Sequence, residues 1–482
     1  MIEYRKTRIL LENTDRARKN LGFVVGVWNK NSHRHSFLAV KDINATTIAI
    51  PRHTPLKEFH YSTGFDETSA VSISIPYKKV EHLKMKRGVG WHPTNKEHAK
   101  SQEEAYEFLM YYKTYPQRML NLVTGTGKTF LAIKYLIEMG YKVVIVCHEN
   151  HLLKQWTDEM KKFTNITDDD IHKIVGIKGG EDIIHRQKNL DKAIYLTTYR
   201  TLSLLDAKNP RYLDNMFRAL QIGLKIFDEA HLETDALFKV DASCDIYETL
   251  YLTATPNRSN REENVIIDYI LPREFSYDNH VEIEPYHNVM VIEYDSKPPL
   301  EVEFEIASKN VHGFNVHAWS KYIREERWTE FVAGITSLLQ DSYKHSFKKT
   351  VIIFKAIDMI KEFYDEISEA FPEYTIGGFY GSGKNKHLEL EKDIVLTTDK
   401  SMKAGIDIKE LRLVINTVTY VSPVVAEQII GRIREIKGKE VLYIDYADVG
   451  FDATKKQKNK RMKIYRILAK KIFKGKYPKK GN

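Results

Sequence analysis

A glycine-rich run at residues 121–130 has the composition of a phosphate-binding loop. It reads Asn-Leu-Val-Thr-Gly-Thr-Gly-Lys-Thr-Phe and stands between an apolar strand end and an apolar helix start. Successive backbone N–H groups and the helix N-terminus would cradle the phosphates of ATP. Lys128 would reach the β- and γ-phosphates, and the Thr129 hydroxyl would ligate Mg²⁺. The remaining loop residues predicted to bind ATP are Thr124, Gly125, Thr126 and Gly127.

In a second run, two carboxylates follow a predicted strand at residues 224–227. Asp228 would complete the magnesium shell, and Glu229 would orient the attacking water. Taken alone, the glycine-rich run could also be a structural turn that only starts a helix. The two runs together, in this order, predict a nucleotide triphosphatase that uses ATP and Mg²⁺.

The composition is that of a folded protein with more than one domain. The chain has 482 residues, of which 42% are hydrophobic, so two or three domains are expected. No stretch approaches the roughly 18 consecutive apolar residues of a membrane span, and the N-terminus lacks the apolar region of a secretion signal. Cys147 and Cys244 form neither a disulfide framework nor a zinc spacing. We therefore expect a reducing, cytoplasmic setting and no membrane contact.

Positive charge is concentrated at the two ends of the chain. Residues 455–480 carry 13 Lys or Arg and no acid, and residues 1–90 carry 16 Lys or Arg against 8 Asp or Glu. The formal net charge is +9, so residues 91–454 between them are net acidic. Such clustering favours a polyanionic partner, with a solubilising C-terminal tail as the alternative.

The apolar pattern divides the chain into blocks. Residues 1–90 read as short β runs, typical of a small β-rich domain. From Gln102 onward strands alternate with helices, and the alternation resumes after a mixed, charged stretch, which predicts two parallel sheets covered by helices. The predicted strands are 23–28, 36–40, 47–50 and 71–75 in the N-terminal block, 119–123, 143–147, 193–198, 224–228 and 249–253 in the first alternating block, and 350–354, 374–379, 393–398, 413–418 and 441–445 in the second.

The same pattern predicts helices in the second block and domain boundaries. The helices are expected at 357–370 and 423–436, and the last 30 residues read as a basic helix whose apolar stripe runs from Ile464 to Ile472. The predicted domains are 1–90 (accessory, substrate recognition), 91–285 (first helicase-type, ATP-binding), 286–320 (linker or insertion), 321–450 (second helicase-type) and 451–482 (basic tail).

Ordered motifs between residues 98 and 446 resemble those of superfamily 2 helicases and translocases of the DEAH-box variety. Gln102 is similar to the glutamine that reads adenine, and residues 226–231, Ile-Phe-Asp-Glu-Ala-His, are similar to the DEAH box. The run 252–256 resembles the motif that couples the ATP and nucleic-acid sites. The resemblance assigns this coupling to Thr253 and Thr255.

Four further runs resemble other motifs of the same proteins. Residues 144–153 and 197–201 resemble motifs that contact a nucleic-acid backbone, 397–407 resembles the fifth motif, and 428–434 the sixth. The residues thereby implied in nucleic-acid binding are His148, Asn150, Thr198, Arg200, Thr397 and Thr398. Gly405 and Asp407 are implied in ATP binding, and Gln428, Arg432 and Arg434 in catalysis.

The resemblance also implies how hydrolysis drives motion. Arg432 would complete the ATP site from the second block, so each turnover would cycle a cleft that grips nucleic acid. His231 would bond toward Gln428 or Thr253 and relay this closure, with a structural histidine as the alternative. The implied fold class is α/β: two tandem RecA-like domains with parallel sheets, plus a small β-rich N-terminal domain and a basic C-terminal helix.

The sixth motif departs from the family pattern. It reads Gly-Arg-Ile-Arg-Glu where Gly-Arg-x-x-Arg is usual, so Arg434 comes one residue early, about 100° around a helix. The sequence therefore leaves the second arginine finger unassigned. The loop at 147–150 also lacks the usual Pro-Thr, so contacts there would use different atoms.

Within the superfamily, the nearest resemblance is to phage branch-migration helicases of the UvsW kind. It is based on the compact length, the small N-terminal module and the segment 172–180. It implies an ATP-dependent helicase or translocase, acting as a monomer on single-stranded, forked or branched DNA in phage replication, recombination or repair. The alternatives are an RNA helicase and the motor subunit of a restriction-type translocase. A P-loop kinase would not need the second block, and a non-catalytic binder would not need Lys128 and Glu229.

Overall fold

The computed structural model of the chain forms two compact units, Met1–Val281 and Glu282–Asn482. The structure describes residues 2–5, 8–15, 17, 24–28, 34–38, 40–54, 74–91, 96–122, 126–254, 261–278, 285–308, 314–381, 386–403, 408–419, 423–436 and 438–478. Most of the expected strand at 71–75 lies outside these ranges, as do Thr124, Gly125, Thr255, Gly405 and Asp407.

A seven-stranded parallel sheet forms the centre of the first unit. Its strands are β7 Gln117–Asn121, β8 Val143–Cys147, β9 Ile171–Lys173, β10 Ile194–Thr198, β11 Leu224–Phe227, β12 Glu248–Thr253 and β13 Ser276–Asp278. Their order across the sheet is β13-β7-β12-β11-β8-β10-β9. Every residue of β8 is buried, as expected for a strand covered by helices on both faces. Because side chains alternate along a strand, Val144 and Val146 join one hydrophobic cluster, while Val143 and Ile145 join the other.

Helices cover both faces of this sheet. In the described residues they are α1 Lys96–Tyr111, α2 Lys128–Met139, α3 Asn150–Phe163, α4 Gly176–Arg186, α5 Tyr199–Lys208, α6 Tyr212–Leu220, α7 Thr234–Asp241 and α8 Arg261–Ile270. The helix that follows the glycine-rich run, α2, ends where Gly140 adopts a left-handed conformation with φ 60° and donates its N–H to the Leu136 carbonyl. Glycine is the residue that reaches this conformation without strain.

A small antiparallel sheet packs within the first unit. Its strands, in the order β1-β2-β6-β5, are β1 Ile2–Tyr4, β2 Arg8–Glu12, β5 Lys41–Asn44 and β6 Thr47–Pro51, and β3 Val24–Trp28 pairs with β4 Arg34–Leu38 as a separate ribbon. Arg8 Nη2 contacts Asp245 Oδ2 at 2.9 Å, and both side chains are buried. Lys41 forms an ion pair with Asp206 and donates to Ser243 Oγ at 2.6 Å. Basic residues of the N-terminal module therefore also attach it to α5 and to the loop between α7 and β12.

The second unit is built around another seven-stranded parallel sheet. Its strands are β14 His287–Tyr294, β15 Thr350–Phe354, β16 Ile376–Phe379, β17 Ile394–Thr398, β18 Leu413–Asn416, β19 Val441–Asp448 and β20 Ala469–Tyr477. Their order across the sheet is β16-β17-β15-β18-β19-β14-β20. Its described helices are α9 Leu300–Ser308, α10 Val316–Glu326, α11 Trp328–Lys344, α12 Ile357–Ala370, α13 Lys386–Glu389, α14 Asp399–Lys403, α15 Pro423–Ile430 and α16 Asp452–Leu468.

Two segments of the second unit differ from their expected structure. The segment 286–320, expected as a linker or insertion, contains β14, which pairs with β19 on one side and β20 on the other. The basic C-terminal helix is present as α16 but ends at Leu468, so Ile472 lies on a strand instead of on the helical stripe. The pairing of β20 with β14 joins residues nearly two hundred positions apart, which a local pattern does not reveal.

The two parallel sheets confirm the predicted fold class, with the small antiparallel sheet at the N-terminus. Among the described residues, no helix combines the length and apolar character needed to cross a bilayer.

Candidate active site

The end of strand β12 connects the two nucleotide motifs of the first unit. Leu122 N, at the start of the glycine-rich loop, donates to Thr253 O at 3.0 Å. Ala230 N, in the acidic motif, donates to Leu252 O at 2.9 Å. Since β7, β12 and β11 are adjacent and parallel, these bonds hold both motifs at the carboxyl edge of the sheet, where ligands bind in open α/β folds.

Lys128 begins α2 directly after a left-handed glycine. Gly127 has φ 92° and precedes the first helical turn. The Lys128 Nζ donates to the Leu122 carbonyl at 3.0 Å, so the ammonium lies over the same loop. The N-terminus of α2 and this ammonium provide the positive potential that phosphate binding requires.

Gln102 contacts the glycine-rich loop from α1. Its Nε2 donates to the Thr126 carbonyl at 2.8 Å, and both residues are buried. A Cβ added to Gly127 would overlap the Gln102 amide nitrogen. Gln102 therefore packs against the loop itself in this structure, and its predicted role in reading adenine remains a prediction.

Asp228 is held by two aromatic residues, Trp156 and Tyr199, to which the sequence motifs assigned no role. Trp156 Nε1 donates to Asp228 Oδ2 at 2.9 Å, and the Tyr199 hydroxyl donates to the Asp228 carbonyl at 3.2 Å. Asp228 N donates to Val146 O at 2.9 Å, which continues the sheet pairing beyond β11. Trp156 is 72 positions from Asp228, so local spacing carried no signal of this contact.

Glu229 adopts a strained backbone conformation with φ 48°. Only a few per cent of non-glycine residues do so, and such residues concentrate at functional sites. Its carboxylate is 3.6 Å from His231 Nδ1, and the same nitrogen is 2.9 Å from Thr253 Oγ1. His231 is buried, so the expected link from the acidic motif to Thr253 is present as a contact.

The residues at this edge fit a magnesium ion. The Thr129 hydroxyl and the Asp228 carboxylate would supply oxygen ligands, which Mg²⁺ prefers, and phosphates and water usually provide the remaining ligands. Among the described residues, no cluster of three or more His, Cys, Asp or Glu forms a complete protein cage for a metal. Nearby Cys147 is fully buried, and burial raises the pKa of its thiol well above the ordinary range, as expected of a core residue.

The paired threonines that end β10 and β17 make equivalent hydrogen bonds in the two units. Thr198 caps α5 by accepting from Thr201 N at 3.2 Å, and Thr398 accepts from Ser401 N at 3.3 Å. The preceding threonine bonds to the neighbouring strand segment in each case, with Thr397 Oγ1 donating to Phe379 O at 2.7 Å and Thr197 Oγ1 to Ile174 O at 3.0 Å.

These hydroxyl groups have partners inside the protein. Thr198 and Thr397 are buried, whereas Arg200 next to Thr198 is exposed. The other residues predicted to contact nucleic acid in the first unit lie at the start of α3. Asn150 is exposed there, and His148 Nδ1 lies 3.2 Å from Glu233 Oε1.

The sixth motif does not continue a helix, which corrects the prediction of a helix at 423–436. Helix α15 ends at Ile430, and Arg432 N donates to Ile429 O at 3.1 Å in the following turn. Arg434 therefore lies outside the helix, and a helical rotation of about 100° does not set its direction. This turn begins at Gly431.

Two side chains from the start of β14 fix this turn. The Tyr286 hydroxyl donates to the Ile433 carbonyl at 3.0 Å, and His287 Nε2 lies 2.9 Å from the same oxygen. Burial lowers the pKa of His287 to about 4. Ile433 separates Arg432 from Arg434, so both arginines depend on a segment that the sequence pattern assigned to a linker.

Comparison with known proteins identifies the domain that carries the first-unit motifs. Residues 95–258 match the family described as "Type III restriction enzyme, res subunit". This part of the chain is therefore a helicase-family domain of superfamily 2. The match does not establish the DEAH-box subtype.

Relatives with similar sequences carry helicase names. A protein of Haloarcula marismortui described as a DNA 3′-5′ helicase of the Rad25 type is 31% identical over 148 residues, which is 31% of this chain and 21% of the relative. The DNA 3′-5′ helicase XPB of Kineococcus radiotolerans is 26% identical over 32% of this chain and 26% of its own length. A mimivirus protein described as an ATP-dependent RNA helicase, L396, is 26% identical over 70% of this chain and 61% of its own. The chain thus spans about a quarter or less of the first two relatives.

The fold is similar to that of a solved structure. Dbp5 of S. cerevisiae, bound to RNA and ADP BeF3, covers 80% of this chain and 94% of its own with a TM-score of 0.52 and 15% identity. T4 UvsW is matched over 98% of both chains at 15% identity, with a TM-score of 0.33.

Proposed function

We propose that this protein is an ATP-driven DNA helicase or translocase that acts on forked or branched DNA. The observation that carries the proposal is the double attachment of the nucleotide motifs to β12, through Leu122 N to Thr253 O and Ala230 N to Leu252 O. It holds a phosphate-loop lysine and two acidic residues at one sheet edge. The superfamily 2 domain at residues 95–258 supports the same function.

The proposed chemistry is the transfer of the γ-phosphoryl group of ATP to water. Mg²⁺, held by Thr129 and Asp228, would neutralise phosphate charge. Lys128 would stabilise the charge that develops on the γ-phosphate, and Glu229 would orient the water, because positioning and charge neutralisation account for most of the catalysis in this reaction. The strained backbone of Glu229 supports its role, since strain at a site persists where the surrounding structure fixes the residue.

His231 and Thr253 are proposed to couple the ATP site to nucleic acid. Their contact of 2.9 Å connects the acidic motif to the strand that leads into the run 252–256. Loss of the γ-phosphate near Glu229 would then affect Thr253 through the buried side chain of His231. Gln428, Arg432 and Arg434 of the second unit are proposed to take part in hydrolysis, as the sixth motif implies.

DNA is the proposed substrate rather than RNA. Two relatives are described as DNA 3′-5′ helicases, and the basic N-terminal module, with twice as many basic as acidic residues, is proposed to select branched structures. The RNA helicase described in mimivirus favours RNA as the second candidate, and the family description favours a restriction-type motor as the third.

The test is the steady-state rate of ATP hydrolysis with a panel of nucleic acids. The panel contains single-stranded, duplex, forked and four-way DNA beside RNA of the same sequences. The proposal predicts stimulation by DNA, largest with forked or four-way DNA, and none in a Lys128→Ala control. Stimulation by RNA and not by DNA would identify RNA as the substrate instead of DNA. Equal stimulation by unbranched duplex and branched DNA would favour the restriction-type motor.

A further inference from the structure

A basic cleft opens in the second unit between α16 and the strands β14 and β20. It encloses about 550 Å³. Its lining includes five basic side chains and one acidic side chain: Lys458, Lys463, Arg466, Lys474, Lys476 and Glu293. None of these residues belongs to the ordered helicase motifs, so we refer to this feature as the C-terminal cleft.

The fold itself directs these side chains to one place. Val291 of β14 is in register with Lys474 of β20, and Glu293 is in register with Lys476. Residues two apart on a strand share a face, and Val291 packs in the same hydrophobic cluster as Met462 of α16. The two lysines of β20 therefore face the helix.

Helix α16 is held against the sheet by buried residues on its other side. Arg461 is fully buried and contacts Asp445 with two nitrogens, at 2.9 and 3.0 Å. The Tyr465 hydroxyl donates to Asp445 Oδ2 at 2.8 Å. Lys463 and Arg466, three positions apart on adjacent turns, are exposed beside this anchor. Helix α16 and the strands β14 and β20 thus form the two walls of the cleft.

Glu293 neutralises part of the positive charge in the cleft. Lys458 Nζ lies 2.6 Å from Glu293 Oε1, and Lys476 Nζ lies 3.7 Å from Glu293 Oε2. The hydrogen bond from Lys458 lowers the pKa of the Glu293 carboxyl. Lys463, Arg466 and Lys474 are not within ion-pair distance of any carboxylate in the described part of the chain, so three positive charges face an open cavity.

We propose that the C-terminal cleft binds the phosphate backbone of a nucleic-acid strand, at a place separate from the helicase motifs. Lys463, Arg466 and Lys474 would make the phosphate contacts, which carry affinity but no sequence information. A concave cleft fits a strand better than it fits the plane of an anionic membrane. The inference rests on the proposed function, because it assumes that nucleic acid is the substrate.

Glu293 has a defined place in this proposal. It is the single carboxylate among the described residues of the lining, and it competes with phosphate for Lys458 and Lys476. Replacing it by glutamine would release both lysines for phosphate contact. The alternative explanation of the lysines is that they prevent the edge strand β20 from pairing with other chains, and that explanation predicts no special effect of the cleft residues.

The experiment compares two triple variants of the full chain that remove equal charge. The cleft variant carries Lys463→Gln, Arg466→Gln and Lys474→Gln. Its binding to a fluorescent single-stranded oligothymidine is measured across a range of salt concentrations. Removing one phosphate contact lowers the slope of log K against log salt by about 0.7, so removing three lowers it by about 2. Over a fourfold rise in salt, the affinity of the parent should therefore fall roughly 15-fold further than that of the cleft variant.

The control variant removes three charges from the same elements outside the cleft. It carries Lys456→Gln, Lys460→Gln and Lys471→Gln, all at exposed positions. Its salt slope should stay close to that of the parent. Thermal unfolding of both variants checks that neither change disturbs the fold. Equal salt slopes in the cleft and control variants would overturn the inference.

Two further arms separate the outcomes. The Glu293→Gln variant should bind the oligothymidine more tightly and with a steeper salt slope. Unchanged or weaker binding would contradict the proposal that phosphates bind in the cleft beside Lys458 and Lys476. The cleft variant should keep the parental ATPase rate at low salt and saturating DNA. If the parent neither binds DNA nor hydrolyses ATP faster with it, the proposed function is wrong. If the parent does both, and the cleft and control variants have equal salt slopes, only the proposed role of the cleft is wrong. Loss of binding to anionic lipid vesicles in the cleft variant, with oligothymidine binding intact, would assign the cleft to membranes instead.

Discussion

Replacing Arg461 by methionine should destabilise the second unit strongly. The guanidinium and the Asp445 carboxylate are both fully buried and share two bonds of 2.9 and 3.0 Å. Arg461 Nη1 also donates to the Thr419 carbonyl at 2.7 Å. The substitution keeps most of the side-chain volume but leaves a buried carboxylate with only Tyr465 and Asn416 as hydrogen-bond partners among the described residues.

The expected destabilisation follows from the unpaired charge. Removing one partner of a buried ion pair costs about 3–5 kcal/mol. Hydrogen exchange of peptides that cover β19 should then accelerate by about 10²- to 10⁴-fold, because exchange of core amides reports the free energy of opening. Peptides that cover β8, in the first unit, should exchange as in the parent and serve as an internal control.

A second variant tests the physical reason. Arg461→Met combined with Asp445→Asn removes both charges, and it should restore most of the protection from exchange, since replacing a whole buried pair is often close to neutral. Unchanged β19 exchange in Arg461→Met would refute the reasoning. A double variant no better than the single one would show that altered packing, rather than the carboxylate, is responsible. The same contacts mean that deleting residues 455–482 removes a structural element, so point variants are the better test of the basic segment.

Three other changes have defined outcomes. Gly127→Ala should weaken ATP binding about 10-fold in a nucleotide titration, because left-handed φ costs an L-residue roughly 1–2 kcal/mol and the new Cβ would displace the Gln102 amide; parental affinity would contradict this. Arg432→Ala should keep ATP affinity within a few-fold while the DNA-stimulated rate falls by about 10³-fold or more, the size of an arginine-finger effect; if Arg434→Ala gives that result instead, the register of the sixth motif is wrong. The pKa of His287 is lowered to about 4 in the fold, so as the pH falls from about 6.5 the unfolded chain protonates this histidine before the folded chain does. The free energy of unfolding of the parent, measured with urea at stepped pH, should therefore decrease by up to about 3 kcal/mol by pH 4. The decrease should be shallower in His287→Asn.

The sequence predicts best those elements whose signal is continuous and local. Strand β15 and helix α12 begin and end at the predicted residues, because a buried apolar run followed by an amphipathic helix satisfies both propensity and packing. The glycine-rich loop and the acidic motif also follow predicted strands, since a phosphate loop requires that order of strand, turn and helix.

Features that depend on distant partners were missed. Strand β20 carries a lysine-rich pattern that resembles a helix, and its pairing with β14 decides its structure. The end of α15 at Ile430 depends on the turn held by Tyr286 and His287, far away in sequence. The interior position of Thr198 has a local origin instead, because a threonine before a helix favours capping over an outward contact, and Thr198 accepts from Thr201 N.

The most direct test of the central claim is ATP hydrolysis by Glu229→Gln beside the parent, with and without forked DNA. The strained residue at the carboxyl edge of the first sheet should orient the attacking water. The substitution should leave the Kd for ATP unchanged and slow the DNA-stimulated turnover by about 10²-fold or more. Near-parental turnover in Glu229→Gln, or a parent whose hydrolysis no nucleic acid stimulates, would contradict the assignment of this site as the motor of a helicase.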